Sequence, residues 1–83
     1  MCWLLSFQHS FLIRKENATS VLLTIGGTDE YTMSRTASRL ISVLEPGTSP
    51  VWVTYAGTRR MLPLAHEHLL DSYCALLALA DEA

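Results

Sequence analysis

Between Trp3 and Ile13 the odd positions are Trp3, Leu5, Phe7, His9, Phe11 and Ile13, with Ser6, Gln8 and Ser10 among the residues between them. A side-chain period of two marks a strand with one buried face. Lys15-Glu16-Asn17 supplies a polar turn containing a residue that tolerates positive φ. The β-branched and apolar run from Ser20 to Ile25 predicts a second strand closing at Gly26-Gly27, so the two form an antiparallel hairpin. Glu30 to Met33 is compatible with a short third strand.

From Ser34, a suitable N-cap, the period becomes helical. Ala37, Leu40, Ile41 and Leu44 fall on one side of the wheel, Arg35, Ser38, Arg39 and Ser42 on the other, and Pro46-Gly47 ends the helix. Val51 to Tyr55 alternates again, and Gly57 marks a tight turn into Arg59 to Leu62. Pro63 suits the start of a last helix, where no amide donor is needed. Along that helix Leu69, Leu70, Tyr73, Leu76, Leu77 and Ala80 gather on one side, opposite Glu67, His68 and Asp71. The expected architecture is α+β in the order ββ(β)αββα. It is a two-layer domain over residues 1–83, an antiparallel sheet of four or five strands with two helices on one face.

This pattern leaves apolar residues over. Leu4, Leu12, Leu22, Trp52 and Leu62 have the opposite parity to the helix-covered face, yet antiparallel sheets usually present a polar second face to water. Eighty-three residues supply no third layer, so an apolar second face calls for a second copy of the chain or another protein.

Composition narrows the class. The chain is 49% hydrophobic and 17% charged with net charge −2, which excludes a disordered chain and argues against a generic nucleic-acid packager. No apolar run approaches the roughly 20 residues of a membrane span. Met1 to Ile13 lacks the basic start and small-residue cleavage site of a signal peptide. A cytoplasmic protein is expected, with Cys2 and Cys74 as reduced thiols. One lysine against five arginines suggests a bacterial or phage source.

No catalytic set converges. His66 and His68 point about 200° apart on a helix, and His68 and Cys74 diverge, so His66-Glu67-His68 with Asp71 and Cys74 makes no three-ligand face. Cys74 lies between Tyr73 and Ala75 in a helix, where thiols behave as small hydrophobes. No serine occupies a Gly-x-Ser-x-Gly turn, and Gly26-Gly27-Thr28 lacks the lysine and the length of a phosphate loop. The carboxylate pairs Asp29-Glu30 and Asp81-Glu82 sit where solvent reaches them. Neither a metal nor a cofactor is implied, and an enzyme is not expected.

The arginines are more informative. Arg35 and Arg39 are one turn apart on the exposed side of the first helix, and Arg59-Arg60 adjoin the second hairpin turn. They form either a solvated face paired with Glu30 or Glu45, or a contact surface for phosphate or for an acidic protein. The segment Ser34-Arg35-Thr36-Ala37-Ser38-Arg39-Leu40-Ile41-Ser42-Val43-Leu44-Glu45 with Pro46-Gly47 resembles the recognition helix of winged-helix regulators. That resemblance implies a DNA-binding protein with Arg35, Ser38 and Arg39 at the major groove, Arg59 and Arg60 at the backbone, Val51–Leu62 as the wing, and two helices before the recognition helix.

The favoured expectation is non-catalytic: a regulatory or inhibitory accessory protein that occupies the surface of another protein. Trp52 would anchor the contact with Leu22 and Leu62, and Arg35, Arg39, Arg59 and Arg60 would orient an acidic partner. Homodimerisation is the companion expectation, and DNA binding the alternative.

Overall fold

In the computed structural model, which describes residues 8–16, 19–27, 29–45 and 50–82, the chain runs β1 (His9–Arg14), β2 (Val21–Ile25), α1 (Glu30–Leu44), β3 (Val51–Tyr55), β4 (Thr58–Leu62), a 3₁₀ turn (His66–His68) and α2 (Leu69–Glu82). Trp3 to Phe7, which the alternation places in the first strand, and Pro46-Gly47 lie outside the described residues.

The sheet order is β2-β1-β3-β4 and every neighbouring pair is antiparallel. β2 and β3 both oppose β1, so they run parallel to each other, and α1 makes the connection between them. Phe11, Ile13, Leu23, Ile25, Val51 and Val53 point to the helix layer. There they meet Leu40 and Leu44 of α1 and Leu76, Leu77, Leu79 and Ala80 of α2 in one core. This is the expected α+β class, with four strands and two helices among the described residues.

Three local expectations are corrected. Glu30 to Met33 is the first turn of α1, not a third strand, and Asp29 rather than Ser34 is the N-cap. The Asp29 carboxylate accepts from the Thr32 backbone N–H at 2.8 Å and from its Oγ1–H at 2.7 Å, satisfying a helix-end donor that a strand would lack. Those two bonds hold the Asp29 carboxyl below its usual range.

The buried stripe of α1 is Thr36, Leu40 and Leu44, with Ile41 exposed. On α2 it is Ser72, Leu76, Leu77, Leu79 and Ala80, with Leu70 turned to solvent. Ser72 is tolerated inside because its Oγ accepts from the Ala65 N–H and donates to the Ala65 carbonyl, which fixes the approach to α2.

The third correction concerns Leu62. Ala56 and Gly57 both have positive φ, at 47° and 84°, the conformation of a two-residue hairpin turn whose twist matches its strands. That turn pairs Val51 with Leu62 and Val53 with Arg60. Cross-strand partners share a face, so Leu62 and Arg60 lie on the helix side. Leu62 packs against the core there, and Arg60 donates to the Glu82 carboxylate on α2.

Candidate functional site

The face of the sheet opposite the helices is built from cross-strand rows. Leu22, Leu12, Thr54 and Arg59 form one row across all four strands, and Arg14, Trp52 and Met61 form the next. Ser10 and Thr24 extend the face beyond the first row, their hydroxyls hydrogen-bonded at 3.0 Å. No described helix covers these positions, and Leu12, Leu22 and Met61 are 46%, 61% and 49% exposed.

Leu12, Arg14, Ser20, Trp52, Thr54 and Arg59 line a shallow groove of about 320 Å³ on this face. Trp52 is half-buried, with the Arg59 guanidinium stacked on its ring. The described strand positions here carry two arginines and no carboxylate, although the chain as a whole has net charge −2. The chemistry on offer is a desolvatable apolar surface with an aromatic anchor and two fork-shaped donors suited to carboxylates.

Of the residues singled out in the sequence, the structure brings together Trp52, Leu22 and Arg59. Leu62 and Arg60 are on the other side. Arg35 and Arg39 are exposed on α1 and border cavities at the β2 edge of the sheet. Arg59 is on β4, at the opposite edge, three strand spacings or about 14 Å across. The four arginines therefore do not form a single patch. Arg14 belongs to the site and was not among the expected residues, although its even position after Ser10 and Leu12 places it on this face.

The resemblance to winged-helix regulators fares unevenly. The hairpin that the likeness reads as a wing forms as β3 and β4, but the described chain before α1 forms the strands β1 and β2 where that likeness implies helices.

The histidines and cysteine show other roles. His66 Nε2 lies 3.4 Å from Glu67 Oε1, and no group of three or more His, Cys, Asp or Glu among the described residues could hold a metal ion. His9 Nδ1 is 2.7 Å from the Tyr55 hydroxyl, and its ring packs against Tyr55 and Phe11 at the end of the sheet. Cys74 is disulfide-bonded, which corrects the expectation of a reduced thiol there; Cys2 lies outside the described residues.

Between α1 and α2, Met33, Ala37, Leu69, Leu70 and Tyr73 line a second, apolar groove of about 220 Å³. Burial pushes the Tyr73 phenol above its ordinary pKa. Among the described residues no helix is long and apolar enough to cross a membrane. No family model, curated protein or solved structure matches this chain.

Proposed function

We propose that this is a non-catalytic accessory protein, of bacterial or phage origin, that acts by occupying the surface of a partner protein with its open sheet face. One observation supports the reading above the rest. The uncovered face combines Leu12, Leu22, Met61 and Trp52 with Arg14 and Arg59 and holds no described carboxylate. An uncovered apolar surface of this kind is what association sites present, and its charge favours an acidic partner. A second copy applied face to face would set its own Arg14 and Arg59 against this pair, so an acidic heterologous partner suits the face better than the homodimer.

The test is affinity capture and sedimentation equilibrium with the wild-type chain and with Trp52→Ala and Met61→Ser. Loss of a captured partner in the variants, with folding intact by circular dichroism, supports the reading. Self-association abolished by the same variants would instead establish the homodimer. A monomer whose variants retain every partner refutes both. In the cytoplasmic setting proposed from the sequence the disulfide at Cys74 is exposed to reduction, so both experiments are run with and without reductant.

A further inference from the structure

The two edges of the sheet are unlike. β4 bears Arg59 and Arg60, one stacked on Trp52 and the other bonded to Glu82, and charged side chains of this kind discourage strand addition. β2, Val21 to Ile25, carries no charge and no proline, and among the described residues its one neighbour in the sheet is β1. Its outer side therefore offers backbone N–H and C=O groups with no strand among the described residues to receive them. Val21 and Leu22 are 44% and 61% exposed on that edge.

Alongside this strand lie two adjoining cavities of about 240 and 330 Å³ between β2 and α1. Arg39 borders both. Arg35 and Thr24 border the first, and Leu22 and Val43 the second. No carboxylate lines either cavity among the described residues. Arg39 thus borders a groove of mixed polar and apolar lining that holds no acidic side chain among the described residues.

We propose that the β2 edge and its α1 border form a second binding site, which adjoins the open sheet face at Leu22 and takes an extended acidic segment of a partner protein as a fifth strand. Main-chain hydrogen bonds to β2 would supply the pairing. Side chains alternating along the added strand would meet Leu22 on one side and Val43 on the other, and a carboxylate would pair with Arg39. The charge decides the occupant. A second copy pairing β2 to β2 would bring two Arg39 side chains to the same edge, whereas an acidic segment neutralises one.

The probe is a blocked heptapeptide alternating valine and glutamate, with the valine–lysine peptide as control, followed by two-dimensional amide NMR. The glutamate peptide is expected to shift the amides of residues 21–25 and 36–43 and to weaken as salt is raised. Arg39→Glu, an exposed substitution that leaves the core untouched, should weaken it by about tenfold or more and favour the lysine peptide instead. Trp52→Ala should leave this binding unchanged, which separates its failure from that of the sheet-face reading. Equal binding of both peptides, shifts mapping to Trp52 and Arg14, or no shifts at all would overturn the proposal. So would concentration-dependent shifts of residues 21–25 without peptide, which would mean that a second copy covers the edge.

Discussion

The Arg59 guanidinium carbon sits 4.2 Å from the centroid of the Trp52 ring, on the sheet face that no described helix covers. The two are diagonal neighbours across the β3–β4 pairing, since Trp52 faces Met61 and Thr54 faces Arg59. The stacked cation holds the indole in place on an otherwise open surface, and stacking leaves the in-plane N–H edge of the guanidinium able to donate to a carboxylate.

Replacing Arg59 by alanine is expected to cost about 0.5–1 kcal/mol, the usual size of a cation–π contact at an exposed site. Urea unfolding followed by far-ultraviolet circular dichroism measures it. Arg59→Lys should recover part of the loss, and a loss above about 2 kcal/mol would mean that Arg59 supports the core rather than the surface.

Ser72→Ala removes the one hydroxyl that serves both the N–H and the carbonyl of Ala65 inside the protein. A destabilisation of about 1–3 kcal/mol is expected, because the buried Ala65 N–H loses its partner while the carbonyl keeps the His68 N–H at 3.2 Å. Ser72→Cys fills the volume but bonds weakly, and should fall close to alanine rather than to wild type.

The two glycine turns should respond differently to alanine. Gly27 has φ of +96°, and a Cβ there would lie 2.8 Å from Thr32 Cγ2, in the first turn of α1. Gly57 has φ of +84° but nothing within 4 Å of a Cβ. Gly57→Ala should therefore cost about 1 kcal/mol from backbone conformation alone, and Gly27→Ala distinctly more. Thermal unfolding of the pair decides it; equal losses would show that Thr32 moves aside freely.

Asp29 links stability to pH. Its carboxyl is held low by the hydroxyl and then the backbone N–H of Thr32. A depressed folded-state pKa contributes stability that is present above the unfolded value of 3.8 and is lost as pH falls through the lower folded value. The difference in unfolding midpoint between wild type and Asp29→Ala should thus shrink on acidification below that range. A difference that stays constant from neutral to strongly acidic pH would remove the carboxylate from the cap.

Much of this fold is legible in the chain, and its misreadings share physical causes. Alternation places Phe11, Ile13, Leu23, Ile25, Val51 and Val53 on one face because each is β-branched or aromatic, or follows one at a spacing of two. Parity misplaces Leu62 because it does not carry across every turn. In β1 and β2 odd residues pair with odd, as Phe11 does with Leu23, but the Ala56-Gly57 turn pairs odd with even. Gly57 announces a turn without fixing its length, and the length sets the register.

On the helices, Thr36 and Ser72 are buried against their polarity, while Leu70 is exposed against its own. Residue type alone therefore rotates each apolar stripe. The site divides along the same lines. Trp52 and Leu22 follow from strand alternation, whereas odd-numbered Arg59 reaches this face only through the odd-with-even register of the second hairpin, and its separation from Arg35 and Arg39 depends on strand order, which period and polarity leave open.

The pairing of Ile13 with Val53 joins two hairpins that are each local in sequence. β1 with β2 and β3 with β4 close short loops, but the β1–β3 ladder forms only after α1 and its flanks have been brought round. Assembly speed should therefore be governed by this central seam, since loop closure precedes the contacts that reward it. In stopped-flow refolding, Ile13→Val and Val53→Ala should slow folding more than an equally destabilising change in α2, which should act mainly on unfolding. The interval before the seam closes is also when the facing edges of β1 and β3 lie bare, which makes the middle of the sheet, rather than its rim, the place where newly made chains are most prone to join one another.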